Sequence, residues 1–232
     1  MTGTTPSEAR EVLRQAPWLR AYPPELGERL LAEGRLVRRA IGEWAQAEGD
    51  DRGGLVVVIA GQLHSYCAAP GDRTVMIGLV SPGAVLGHAT RFSGGPRLVT
   101  AVCVEPTILL ELTEAALDRV AAHRPELWRA IADFTYANMR SVLQLAAETV
   151  ALGPRERLVA RLLAAAERRA EPDTAEAPVI RISQELLGEM AGLTRKTANH
   201  HLSALARSGL IALGYGCIRL LDRAALQRII SG

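Results

Sequence analysis

Between Ile182 and Ile211 the apolar positions recur at helical spacing twice, with one break between the two runs. Leu186, Leu187 and Met190 mark the first run, opened by Ser183, whose hydroxyl can accept from a free amide of the first turn. Ala191-Gly192 closes it, glycine being suited to the left-handed conformation at which many helices end. A few residues on, Thr194 caps a second run in which Ala198, Leu202 and Leu205 form the apolar stripe. This is the spacing of a tight helix-turn-helix. Leu210–Leu213 then reads as a strand, Gly214-Tyr215-Gly216 as a turn and Cys217–Leu221 as a returning strand. Val179–Ile182 can add a third. Asp222 to Ile230 has the pattern of a closing amphipathic helix.

The preceding chain has a different texture. Ser7–Arg14 and Pro24–Ala32 read as short helices, the second with proline at its start, where the missing amide costs nothing. From Leu36 to Leu112 short apolar runs (55–60, 63–67, 75–80, 99–104 and 107–112) alternate with Gly, Pro and Asp. Turn signals this frequent predict an all-β barrel or roll. Glu114–His123 returns to helix. Pro125 opens a longer one, since no Gly or Pro falls between Glu126 and Leu152. That stretch permits a helix of about 40 Å at ~1.5 Å per residue. Trp128, Ile131, Thr135, Asn138, Val142, Leu145, Thr149 and Leu152 repeat in steps of three and four. That is the seam of a two-stranded coiled coil, with Asn138 as a register-setting polar residue; the alternative is a face packed within its own domain. Gly153-Pro154 reads as a hinge, Arg155–Arg169 as another helix, and Ala170–Pro178 as a loop.

Composition adds limits. With 232 residues, 48% hydrophobic and 22% charged, the chain has the make-up of a globular protein with ample length for a core. No apolar run approaches the ~18 residues of a membrane helix. No secretory pattern opens the chain, and Cys67, Cys103 and Cys217 fit neither a disulfide framework nor a metal-ligand cluster. A cytoplasmic location is the expectation. The net charge of +2 is uneven: from Gly153 onward there are 12 Arg and Lys against 8 Asp and Glu, before it 15 against 17. A basic C-terminal part suits nucleic-acid contact.

The chemistry concentrates on the second helix of the helix-turn-helix. Positions 195, 196, 199 and 200, opposite its apolar stripe, are Arg, Lys, Asn and His, all able to bond base edges or phosphates. Lys196 is the only lysine in the chain. The plain alternative is a helical hairpin with a solvated face. No GxSxG elbow, P-loop or HExxH pattern occurs, so enzymatic function is not expected and no catalytic residue or metal site is assigned.

A barrel or roll, a long helix, a Gly-Pro break and a winged helix-turn-helix, in that order, resemble the Crp/Fnr family of bacterial transcription regulators over roughly residues 20–230. Gly94-Gly95-Pro96-Arg97-Leu98-Val99-Thr100-Ala101-Val102 and Gly192-Leu193-Thr194-Arg195-Lys196-Thr197 carry the likeness most specifically. Ser208-Gly209-Leu210-Ile211 and Leu221-Asp222-Arg223 add to it. The resemblance implies an α+β chain in three parts. These are a sensor domain (1–124) with an N-terminal β-roll like that of cyclic-nucleotide-binding proteins, a long dimerisation helix (125–152), and a winged helix-turn-helix (153–232).

It further implies a homodimeric, sequence-specific regulator that binds near-palindromic double-stranded DNA, with RNA polymerase and a small-molecule effector as further partners. Ser183, Thr194, Arg195, Lys196, Thr197, Asn199 and His200 fall on its DNA-binding positions. The family's usual Arg-Glu-Thr-Val-x-Arg is here Arg195-Lys196-Thr197-Ala198-Asn199-His200. Arg195 remains able to donate two bonds to guanine, but Lys196 and His200 depart, which predicts a different half-site. Trp128, Ile131, Thr135, Asn138, Val142, Leu145 and Thr149 are the expected dimer contacts.

The effector pocket of the cyclic-nucleotide branch maps onto Gly87, His88, Arg97, Leu98, Val142 and Leu143. Gly87 and Arg97 are kept. The glutamate, the phosphate-binding hydroxyl and the adenine-facing Thr-Ser pair are replaced by His88, Leu98 and Val142-Leu143. Each unpaired buried group removes ~1–3 kcal/mol, so cyclic AMP is not expected to bind tightly. Arg97 either holds another anion or pairs within a vestigial pocket. The first cysteine is Cys67, against an iron–sulfur cluster held by N-terminal cysteines. A haem sensor would have to draw on His64, Cys67, His88 and Cys103. The remaining alternative is a ligand-sensing or scaffold protein whose DNA-binding head has degenerated.

Overall fold

The computed structural model describes residues 5–167 and 179–231. They fall in two compact units, Met1–Arg140 and Ser141–Gly232, and one long helix carries the chain from the first into the second. The predicted loop 170–178 and the end of the helix predicted to Arg169 lie outside the described residues.

In the first unit, α1 (Pro6–Gln15) starts with a reciprocal cap: Glu8 N–H donates to Thr5 Oγ1, and Thr5 N–H donates to the Glu8 carboxylate at 2.7 Å. Helix α2 (Pro24–Glu33) follows. Eight strands come next: β1 (Arg35–Arg39), β2 (Trp44–Gln46), β3 (Leu55–Ala60), β4 (Leu63–Ala69), β5 (Arg73–Val80), β6 (Val85–Leu86), then, after the short α3 (Thr90–Ser93), β7 (Thr100–Cys103) and β8 (Thr107–Leu112). They form two four-stranded sheets, ordered β1-β8-β3-β6 and β2-β7-β4-β5, with every pairing antiparallel. This is the predicted roll.

Strand β3 shows why its sequence is an unbroken apolar run. Side chains alternate across a strand, and both of its faces are covered. Leu55, Val57 and Ile59 join a cluster with Leu13, Leu26 and Leu30 of the N-terminal helices. Val56 and Val58 join a second cluster with Leu63, Ala101, Cys103 and Leu109 inside the roll. Strand β1 leaves no apolar pattern in the sequence because it is three-fifths arginine. It lies at a sheet edge, where Arg35 and Arg39 both reach Glu111 across the pairing with β8.

Helices α4 (Glu114–His123) and α5 (Glu126–Ala151) close the unit. The first turns of α5 alter the expected seam. Ile131 is buried in its own core with Leu127 and Ala130, leaving no surface to offer a partner. Trp128 is half-buried there, edge-on to Phe92 and under the Arg91 guanidinium. Thr135 donates to Ile131 O and Thr149 to Leu145 O, as threonines do within a helix. Of the residues expected at the interface, Val142 and Thr149 are exposed, and Thr135, Asn138 and Leu145 are half-buried. An exposed row lies one residue along: Ala132, Tyr136, Met139, Leu143, Ala146 and Val150.

The second unit holds α6 (Pro154–Glu167), β9 (Val179–Ile180), α7 (Gln184–Met190), α8 (Arg195–Arg207), β10 (Ile211–Gly214), β11 (Cys217–Leu220) and α9 (Arg223–Ser231). The strands make one antiparallel sheet, ordered β10-β11-β9. Leu158, Leu162, Leu187, Leu202, Leu205, Ile218 and Leu226 are fully buried in this unit.

Candidate functional site

The reading head is built by local rules. Ser183 caps α7, its Oγ accepting from Leu186 N–H at 3.1 Å. At the other end Gly192 takes φ +65°, and Leu193 N–H donates back to Gly188 O at 2.9 Å, turning the chain into α8. Gly188 sets how closely the two helices cross, because a Cβ there would lie 2.8 Å from Ala198 Cβ. Thr194 caps α8, accepting from Thr197 N–H at 3.3 Å while the two hydroxyls share a bond of 2.9 Å. Ala198, Leu202 and Leu205 are buried, as their spacing predicts.

The remaining face of α8 opens outward. Arg195, Lys196 and His200 are exposed; Thr197 and Asn199 are half-buried. His200 stacks edge-on against His201 at 5.4 Å between ring centres. His201 itself is half-buried, at the margin of the core. Thus the seven residues expected to meet DNA gather at the N-terminal ends of α7 and α8. Ser183, Arg195 and Asn199 line a cleft of about 310 Å³ together with Gln184, Glu185, Gly214, Tyr215 and Gly216. The last three are the tip of the β10–β11 hairpin. Tyr215 was not singled out as a contact from the sequence. The available signal was a large amphipathic residue set between two glycines.

The sensor site belongs to the first unit. Arg97 is 6% exposed, although no carboxylate pairs with it directly. Its Nη1 donates to Gln46 Oε1 at 3.3 Å and its Nη2 to Gly53 O at 3.5 Å, both long, while Nε is buried without a partner. Burial pulls the guanidinium pKa down, opposed by the more distant charges of Asp50 and Glu114. Gly87 takes φ +81° directly beneath the guanidinium. Next to it, His88 has its pKa lowered by burial and then by the Arg97 charge. Its Nε2 accepts from Asn138 Nδ2 of α5 at 3.4 Å, its ring meets Phe134 edge-on at 5.0 Å, and a hydrogen bond with the Val85 backbone opposes the lowering of its pKa. Asn138 is therefore turned to His88, which explains a polar residue at that point of the helix.

The other expected pocket residues are exposed. Leu98 is 67% exposed, and Val142 and Leu143 are exposed positions of α5. A cyclic nucleotide thus finds the buried arginine but no carboxylate at position 88 and no hydroxyl at position 98. Two of the candidate haem ligands, His64 and Cys103, lie on opposite faces of their sheet. Cys103 pairs with Leu63 on the inner face of its sheet, whereas His64 pairs with Val102 on the opposite face.

Comparison with known proteins gives two family matches: a cyclic nucleotide-binding domain over residues 40–124 and a Crp-like helix-turn-helix domain over residues 156–229. The nitrogen fixation regulation protein FixK of Bradyrhizobium diazoefficiens is 28% identical over 203 residues, covering 84% of this chain and 82% of FixK. The CRP-like cAMP-activated global transcriptional regulator of Mycobacterium tuberculosis is 25% identical over 186 residues, covering 78% of this chain and 82% of that protein. Among solved structures, FixK2 from Bradyrhizobium japonicum shares the fold with a TM-score of 0.72 at 21% identity, over 84% of this chain and 96% of the other.

Proposed function

The chain belongs to the Crp/Fnr family of transcription regulators, and on that premise we propose how its own residues recognise DNA and an effector. Two copies pair along α5 through the exposed row Tyr136, Met139, Leu143, Ala146 and Val150, with Val142 beside it. Spacing in steps of three and four supports this pairing. The dimer sets two α8 helices into successive major grooves about 34 Å apart on a near-palindromic site. Arg195 donates two bonds to a guanine; Lys196 and His200 read or anchor a neighbouring step in a way the usual Glu and Arg cannot. RNA polymerase is a further partner of the DNA-bound dimer.

The effector is an anion smaller or less polar than a cyclic nucleotide. One observation carries this: a buried arginine has an unused Nε–H and no carboxylate paired with it directly. Buried unmatched donors of this kind are costly and are satisfied by an incoming acceptor. A carboxylate or small phosphate supplies it.

Native mass spectrometry of the purified dimer tests stoichiometry and any retained anion together. Titration calorimetry with cyclic AMP is expected to show no micromolar binding, and micromolar binding would remove the proposal of a different effector. Fluorescence anisotropy with duplex DNA at stated salt tests the head. Arg195→Ala is expected to cost about 1–3 kcal/mol and relax specificity at one base step. Affinity that is weak and indifferent to sequence would indicate a degenerate head instead.

A further inference from the structure

We propose that His88 couples occupation of the Arg97 site to the uptake of a proton and to the orientation of the Asn138 amide on α5; this rests on the anion-binding reading of Arg97. The three residues come together from distant parts of the first unit. Gly87 lies beneath the Arg97 guanidinium, so the next residue, His88, stands beside that charge. From α5 the ring is met by Phe134, edge-on at 5.0 Å, and by the Asn138 amide at 3.4 Å.

The bond to Asn138 fixes the state of the ring. Nε2 accepts from the amide nitrogen, so it carries a lone pair, and the single proton of the neutral imidazole sits on Nδ1. Burial first and the Arg97 charge second hold the ring neutral, against a hydrogen bond with the Val85 backbone that favours the charged form. Charged side chains on the elements around it are already engaged. Asp50, in the loop before β3, and Glu114, at the start of α4, act on Arg97. Arg91 of α3 is bonded to Glu114 and Asp118, and Asp133 of α5 is bonded to Tyr22.

An anion at Arg97 changes this balance. It offsets the positive charge that opposes protonation, so the ring takes a proton from solvent onto Nε2, and no other covalent bond is made or broken. Anion and proton then bind with positive coupling, each strengthening the other. A protonated ring donates from both nitrogens. Its Nε2–H now faces the Asn138 Nδ2, donor against donor, and the amide must turn to present Oδ1. A histidine that served packing alone would leave its neighbours as they were. Here the residue that responds sits on the long helix, next to Met139 of the exposed row.

The test uses the full chain at constant ionic strength, with sulfate as the probe because its charge does not change between pH 5 and 7.5. Ring resonances of His88 are assigned by their loss in His88→Gln and followed against pH with and without sulfate. Sulfate is expected to raise the midpoint of the His88 titration and to bind about fivefold more tightly at pH 5 than at pH 7.5. The side-chain amide of Asn138, assigned through Asn138→Leu, moves with the same midpoint. Arg97→Gln should raise the midpoint without sulfate and abolish the response to it; if that variant does not fold, the titration of the unaltered protein decides alone. Sulfate that shifts the His88 signals with an affinity independent of pH, or an Asn138 amide that stays fixed while His88 titrates, overturns the coupling and leaves the anion site standing. Signals indifferent to sulfate at every pH remove the anion-binding reading, and the coupling with it.

Discussion

Arg97 lies so close over Gly87 that a Cβ on the glycine would sit 1.3 Å from the guanidinium Nη1. No side chain larger than hydrogen is compatible with the arginine where it stands, and the glycine's φ of +81° disfavours one independently. The arginine's position thus depends on the glycine, and the Gly54 carbonyl oxygen, 2.7 Å from the same Cβ, leaves no room on that side either.

Gly87→Ala should therefore expel the guanidinium and strain the backbone together, destabilising the protein by about 1–3 kcal/mol. Thermal unfolding of the full chain measures this. A melting temperature within error of the unaltered protein would mean that Arg97 is free to leave its position.

His88 links stability to pH. Burial and the Arg97 charge lower its pKa in the folded protein below the ordinary value of 6.5. Below pH 6.5 the unfolded chain then binds a proton that the folded chain does not, so stability falls as the pH drops; above 6.5 the contribution is complete. His64 is also lowered by burial and acts in the same sense. Chemical denaturation of His88→Gln between pH 7.5 and 5 should show a weaker loss than the unaltered protein. An identical pH dependence would contradict the placement of His88. A saturating anion at Arg97 should also weaken the loss, by offsetting the charge that opposes protonation.

The dimer row gives a directional test. Leu143→Glu puts two carboxylates on facing surfaces, and sedimentation should report monomers with an unchanged melting profile of the individual units. Because Ile131 lies in its own core, Ile131→Ala should instead lower stability by about 2–5 kcal/mol. Dimers that survive Leu143→Glu would place the interface elsewhere.

Gly188 tests the head without touching charge. Gly188→Val must push α7 from α8, since even a Cβ would be 2.8 Å from Ala198. The expected loss is about 1–3 kcal/mol from overpacking, with weaker DNA binding in anisotropy and an unaltered dimer mass. Full DNA affinity would show that the crossing of the two helices can relax.

Much of this was legible in the chain where one kind of signal dominated. Strands Leu55–Ala60 and Thr107–Leu112 and helix Glu114–His123 were delimited to the residue, because uninterrupted apolar runs met clear turn and cap residues. Strands Arg35–Arg39 and Trp44–Gln46 were not, because arginines at a sheet edge and a three-residue strand leave no periodic trace. On α5 the expected stripe includes a residue that its own domain buries. Periodicity identifies an apolar stripe but not which stripe the helix's own domain consumes, and here Ile131 is consumed. In the sensor, the lost carboxylate and hydroxyl were visible as His88 and Leu98. The bond from Asn138 to His88 joins residues 50 apart in sequence and became visible only in the fold.

Selection of duplexes from a random pool by the purified full-length protein, followed by sequencing, tests the central claim most directly. The expected product is a two-fold symmetric site with half-site centres about one helical turn apart. Its half-site keeps one guanine for Arg195 and differs from the family's common sequence at the steps facing Lys196 and His200. A pool that shows no enrichment would contradict the assignment of this chain as a sequence-specific DNA reader, and recovery of the common half-site would contradict the roles given to Lys196 and His200.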